Sequence, residues 1–197
     1  VIWGGGGGGC VPVPKKPIPV ISLGNGELLP ESNLIFPEAV TPPVEQSGGL
    51  AFSGQSDLLF ANFEKEGRIG IYKIGSDDPP QVFIDLSEWI SPVGDFVPRA
   101  EGLRVDQQKR LLVAEAGTGK LLRISPSANK LEVLADSYDG YRFGEVKDLV
   151  IAPSGDLFVS SPHSGTIYRI RPDIGYVGIL NDDLVRVAGL AISPDGK

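Results

Sequence analysis

A short sheet module recurs along this chain. Residues 146–171, VKDLVIAPSGDLFVSSPHSGTIYRIR, hold three apolar runs, at 149–152, 157–160 and 166–170, parted by turns at Ser154-Gly155-Asp156 and at 162–165. Runs this short, rich in Val, Ile, Phe and Tyr and separated by Gly-containing turns, predict a β-meander rather than a helix. Residues 178–180 supply a fourth strand. Upstream, GGLAF (48–52), LLFANF (58–63), RIGIYKI (68–74) and 82–84 repeat the pattern. So do AEGLRVD (100–106), RLLVAEAGTGKLLRIS (110–125) and LEVLAD (131–136), and AGLAISPDGK (188–197) opens another round. With Gly49, Gly102, Asp148 and Gly189 as equivalents, the offsets are 53, 46 and 41 residues. A four-stranded antiparallel unit at this spacing predicts an all-β fold, the blades of a β-propeller.

The blades start near residues 48, 101, 147 and 188, so the region 47–197 reads as an incomplete propeller of three blades and a fraction. A blade buries its faces only against its neighbours, and closing the ring removes open edges. Three and a fraction cannot close, which predicts the N-terminal part of a longer propeller, or one that lost its second half, and poor solubility for this stretch alone. Residues 87–99, with Trp89 and three Ser/Gly-Pro-type breakers, are an insertion. Residues 20–46 carry scattered apolar residues among prolines and predict one strand at most.

Residues 1–19 are six glycines, Cys10 and the Pro-rich segment VPVPKKPIP. This composition gives a flexible coil running into a stiff, extended spacer, a disordered tether. A second reading takes Val1-Ile2-Trp3 as the end of a secretory apolar region and Cys10 as a bacterial lipid anchor, which would make the protein extracytoplasmic. Gly7 stands where a lipoprotein signal usually carries Leu. A single cysteine leaves no intrachain disulfide and no Cys-based metal site. The net charge of −7, without any cluster of Lys and Arg, argues against nucleic acid as a partner. No apolar run is long enough for a transmembrane span.

One motif misleads. Ala116-Gly117-Thr118-Gly119-Lys120 resembles the end of a phosphate-binding loop. That pattern needs Gly where Ala114 stands and Ser or Thr where Leu121 stands. Strands flank it on both sides, so no helix N-terminus can meet a phosphate. It predicts a plain hairpin turn.

In a meander, the start of strand one and the loop after strand two share one end of the sheet. That end gathers Lys147, Asp148, Ser161 and His163 in the third blade, Glu101 and the 115–119 turn in the second, and Gly48 with the 62–66 loop in the first. Residues at the starts of inner strands face the central channel. Each is otherwise an ordinary solvated loop residue. His163 is the sole histidine, so no Ser-His-Asp order can be argued.

The run LEVLADSYDGYRFGEVKDLVIAPSGDLFVSSP (131–162) resembles the gluconolactonase branch of the senescence-marker-protein/gluconolactonase (regucalcin-like) family. There a similar LAD-x-Y-x-G-x-R-F run precedes Pro-Asn-Asp, an apolar strand, an Asp-Gly turn and a strand ending Thr-Asp-Pro. Residues 100–124 and 188–197 are similar to the blades on either side. Outside 131–162 the likeness is shared with NHL-type propellers. The resemblance implies six blades around one divalent metal, usually calcium, that polarises the carbonyl of a sugar lactone while a carboxylate assists water. Carried over, the metal-ligand positions fall on Gly48, Lys147 and Ala188, and the aspartate of Thr-Asp-Pro falls on Ser161. Asp148 keeps the Asp of Pro-Asn-Asp and is the catalytic candidate.

Calcium takes six to eight oxygens, and none of the three side chains offers one. An ammonium about 4 Å from a divalent ion, at an effective dielectric near 20, costs roughly 8 kcal/mol. No metal is therefore expected as a cofactor unless the family site is kept through other residues. The expected site is a polar channel of Glu101, Lys147, Asp148, Ser161 and His163 that binds a small polar or sugar-like ligand, with a metal-dependent lactone or ester hydrolase and an NHL-type module for a protein partner as alternatives.

Overall fold

A computed structural model describes residues 41, 48–54 and 56–193. The tether 1–19 with Cys10 and the extension 20–46, residue 41 apart, lie outside the described residues, as do 194–197. The first sheet holds β1 (Leu50–Ser53), β2 (Asp57–Phe60), β3 (Arg68–Lys73) and β4 (Gln81–Asp85). The second holds β5 (Ala100–Val105), β6 (Leu111–Glu115), β7 (Lys120–Ile124) and β8 (Leu131–Ala135). A small hairpin of β9 (Ser137–Tyr138) and β10 (Tyr141–Arg142) follows. The third sheet holds β11 (Leu149–Ile151), β12 (Leu157–Ser161), β13 (Thr166–Arg171) and β14 (Tyr176–Asn181).

Each sheet pairs its strands antiparallel in chain order, a meander. β1 lies beside β5, and β5 beside β11. The inner strands thus stand side by side while the later ones run outward, which is how propeller blades surround an axis. The expected strands recur within a residue or two, except that the 58–63 run ends as strand at Phe60. Two differences are real. The β9–β10 hairpin was not anticipated, and residues 188–193 form no strand although they dock as the start of a blade would: Ser160 Oγ donates to the Ala188 carbonyl at 2.6 Å, and the Leu190 N–H donates to Asp148 Oδ2 at 2.9 Å.

Packing follows from alternation along β6, among the described residues the one strand buried at every position. Successive side chains on a strand face opposite ways. Leu111 and Val113 enter the layer between the first and second blades, with Leu59, Ile69, Ile84 and Leu103. Leu112 and Ala114 enter the layer between the second and third, with Leu149, Leu157, Val159 and Ile170. A strand covered on both faces has no polar alternation to show, which is why LLVAE reads as a continuous apolar run. Burying each of these aliphatic side chains stabilises the fold by roughly 1.5–3 kcal/mol.

The phosphate-loop look-alike has a structural explanation. Gly119 sits at φ 72° in the β6–β7 hairpin, and a Cβ there would stand 2.4 Å from the Phe143 carbonyl oxygen. Gly67 (φ 76°, facing the Pro98 carbonyl) and Gly165 (φ 65°, facing the Leu184 carbonyl) occupy the same place in the other blades. Positive φ and a carbonyl pressed onto the Cα together require glycine. In each case the carbonyl belongs to the connector that leaves for the next blade.

Asp85 closes the first blade. Its carboxylate accepts from the Ser87 amide and hydroxyl and lies 2.6 Å from Lys65 Nζ, capping the 3₁₀ turn Leu86–Glu88. Burial by itself would raise this carboxyl, but the Lys65 and Ser87 bonds outweigh it and hold the pKa at about 2 instead of 3.8.

Candidate functional site

The end of the blades where the β2–β3, β6–β7 and β12–β13 hairpins lie carries most of the ionised side chains that cross between blades. Glu101, the second residue of β5, points its carboxylate at Lys147 just ahead of β11, with Oε2 3.0 Å from Nζ. Arg99 stands between two carboxylates, 3.7 Å from Glu101 and 2.9 Å from Glu145. The other oxygen of Glu145 lies 3.1 Å from His163 Nδ1. A continuous line of polar contacts therefore runs Lys147, Glu101, Arg99, Glu145, His163 across the seam between the second and third blades. Glu101 and Glu145 are mostly buried, whereas His163 is 76% exposed. These pairs sit in a medium less polar than water, where the Coulomb attraction is strengthened.

The structure brings Glu101, Lys147 and His163 into this one network and places the other two candidates elsewhere. Asp148 follows Lys147 in extended chain, so its side chain turns the opposite way. Its carboxylate accepts from the Leu149 and Leu190 amides, at 2.8 and 2.9 Å, and meets the Arg104 guanidinium at 3.1 Å. It rests on Gly102, where a Cβ would fall 2.8 Å from the Asp148 Cα. With its lone pairs engaged by two amides and an arginine, Asp148 ties the second blade, the third and the 188–193 segment together. Ser161 is fully buried on the face of β12 that meets the second blade, and its hydroxyl has no hydrogen-bond partner among the described residues.

Two participants, Arg99 and Glu145, escaped the sequence reading, and a third, Glu115, entered it only as the first residue of the 115–119 turn. Arg99 and Glu145 lie in loops and gain meaning only through a contact 46 residues apart. Glu115 is a fully buried carboxylate at the end of β6. It accepts from the Arg99 amide at 2.9 Å, from the Thr118 amide at 2.9 Å, and from the Thr118 hydroxyl. Those donors repay its burial and lock the 115–119 turn against the 93–99 segment. A signal existed: an acid closing an all-apolar strand is costly unless bonded.

A cavity of about 610 Å³ opens beside the network, under the insertion and above the second blade. Its walls come from Val93, Phe96 and Val97 of the insertion, Gly117 to Gly119 of the hairpin, and Arg142 and Phe143 after the β9–β10 turn. Arg99, Glu145 and His163 line its inner side, but Glu101 and Lys147 do not.

The family resemblance implies a divalent cation, and the described residues do not fit one. Gly48 and Ala188 bring no side-chain oxygen, and the Lys147 ammonium occupies the remaining position, already paired with Glu101. Among the described residues no group of three or more His, Cys, Asp or Glu side chains is placed to hold a metal ion. Among them, too, no helix is long and apolar enough to cross a membrane.

No family model matches the chain. It is 29% identical to the gluconolactonase of Zymomonas mobilis subsp. mobilis over 120 residues, which cover 53% of this chain and 33% of that protein. It is 30% identical to lactonohydrolase oryL of Aspergillus oryzae over 91 residues, 39% of this chain and 21% of that protein. The matched stretch thus spans a third or less of either relative's length. Among solved structures, XC5397 from Xanthomonas campestris, described as a gluconolactonase, superposes with a TM-score of 0.62 at 24% identity, covering 76% of this chain and 52% of that one. Virginiamycin B lyase from Staphylococcus aureus superposes with a TM-score of 0.55 at 14% identity, covering 88% and 58%. The last two show the fold alone. Four-stranded blades about a common axis and these sequence similarities make the chain similar to gluconolactonase-like (regucalcin-like) β-propeller proteins.

Proposed function

We propose that this part of the protein is a binding module of the gluconolactonase-like propeller type, in which a lysine ion pair stands where relatives would hold a cation. The observation that carries the reading is the 3.0 Å contact between Lys147 Nζ and Glu101 Oε2 at the axis. An ammonium fixed there supplies positive charge and three donors but no Lewis-acid centre for a carbonyl. Next to Glu101 it offers both a donor and an acceptor, which suits the hydroxyls of a small polar or sugar-like ligand. Such a ligand would be held without being hydrolysed.

The test is calorimetric titration of the 197-residue chain with gluconate and glucono-lactone, with the Lys147→Asn variant in parallel. Binding weakened about tenfold or more by the substitution, and no turnover, is the expected result. Unchanged affinity in Lys147→Asn would overturn it.

A second reading, a metal-dependent lactone or ester hydrolase, is favoured by the names of the two relatives. It predicts that millimolar calcium raises the melting temperature by several degrees and that an aldonolactone is turned over. The binding-module reading predicts neither.

A further inference from the structure

We propose that the cavity beneath the insertion is a second ligand site, separate from the axis, for a monocarboxylate with a neutral apolar body. The separation is geometric: neither Glu101 nor Lys147 lines this cavity, its outer wall is the 93–97 segment of the insertion, and of the axial candidates it shares only the exposed His163. That wall is apolar and partly uncovered. Phe96 is 67% and Val97 48% exposed. Phe143 closes the floor and is itself almost fully buried. An uncovered phenyl ring and valine facing a cavity of about 610 Å³ gain by covering, which calls for an apolar group on the ligand.

The charges around the cavity fix the other end. Arg99 is spent on Glu101 and Glu145, and Glu145 is shared with His163. Arg142 is exposed, lines the cavity and has no ion-pair or hydrogen-bond partner among the described residues. A free guanidinium presents paired N–H donors that match a carboxylate. It is held by the β9–β10 hairpin, whose register pairs Arg142 with Ser137, so the cation sits on a fixed element rather than a loose loop. Glu66 and Asp95 also reach the cavity, and both are exposed to water. They cost a single, distant carboxylate little but disfavour a second negative charge on the ligand body. Together these features select one carboxylate and a hydrophobic remainder, and they disfavour a dianion.

The experiment is isothermal titration of the 197-residue chain with 3-phenylpropionate, and with 3-phenylpropanol and 3-phenylpropylamine as matched neutral and cationic probes. Measurable binding of the carboxylate, at least about tenfold tighter than either matched probe, is expected. Arg142→Gln should abolish that preference, and Phe96→Ser should weaken carboxylate and alcohol alike. Both residues are solvent-exposed, so both variants are expected to keep the wild-type melting temperature. Lys147→Asn should leave 3-phenylpropionate affinity unchanged, which separates this site from the axial one whatever the fate of that reading. No binding, equal affinity for the alcohol, an unaltered preference in Arg142→Gln, or a loss in Lys147→Asn would each overturn the proposal.

Discussion

The two seams between blades are built from the same apolar material and finished differently. Between the first and second blades, Leu59, Ile69, Leu103 and Val113 fill the layer. At its top the Asn62 side-chain amide donates to the Ala100 carbonyl at 2.9 Å while its oxygen accepts from the Gly67 amide. Backbones come so close there that a Cβ on Gly49 would lie 1.9 Å from the Glu101 carbonyl oxygen. Between the second and third blades, the layer of Leu112, Leu121, Leu149 and Val159 ends under Lys147, Glu101, Arg99 and Glu145. A neutral amide closes one seam, and charge closes the other. Among the described residues the first seam closes without ionised pairs, whereas the second has the Asp148–Arg104 tie and, beyond it, the Lys147–Glu101 pair, the contact that the proposed axial site would use.

That contrast can be attacked at several strengths. The largest effect is common to both seams: Leu103→Ala and Leu149→Ala should each cost about 2–5 kcal/mol in denaturant unfolding, because both side chains are fully buried. A marked inequality would mean that one layer is not a true blade–blade core. Glu115→Ala should cost about 2–3 kcal/mol by stranding the Arg99 and Thr118 amides, and hydrogen exchange should report the loosening at 115–119. Acid should weaken the first blade. The folded pKa of Asp85 is about 2 against 3.8 for the free group, so its stabilisation is present above pH 4 and is lost as pH falls toward 2. The loss should be on the order of 1–2 kcal/mol in pH-dependent melting and smaller in an Asp85→Asn variant.

Two smaller effects sharpen the comparison itself. Asn62→Ala should cost about 1 kcal/mol, independent of salt, as a neutral hydrogen-bonded group does. Lys147→Met should change stability by less than about 1 kcal/mol, because the lysine is 38% exposed and pays its own desolvation. Raising sodium chloride to about 0.5 M should erase the Lys147 effect and leave that of Asn62. If Lys147→Met proves the costlier of the two, the charged seam is structural after all.

The blades were legible because short Val-, Ile- and Phe-rich runs and turn glycines are local signals, and a repeat supplies them three times over. Even the misleading Thr118-Gly119-Lys120 turn was resolved by its flanking strands, and Gly67 and Gly165 now show it to be part of the repeat. The site was legible only in outline. The Glu101–Lys147 meeting follows from two equivalent positions in neighbouring blades, which the spacing could place. Arg99 and Glu145 could not be found that way, since loop residues carry no period. Asp148 looked like a partner of Lys147 because it is next in sequence, yet in extended chain neighbours diverge, and it ended as a tie to the Leu190 amide. The β9–β10 hairpin left a trace in Asp139-Gly140, both at positive φ, a turn signal passed over because its strands are only two residues long.

The hairpin glycines have a temporal side as well. The upper turn of each blade is sealed by a carbonyl that arrives later in the chain: Pro98 over Gly67, Phe143 over Gly119, Leu184 over Gly165. During synthesis no blade can finish its own turn until the ribosome has released the connector to the following one. In each described blade the turn is therefore closed by the connector that follows it, and a chain cut before that connector would leave the turn uncovered.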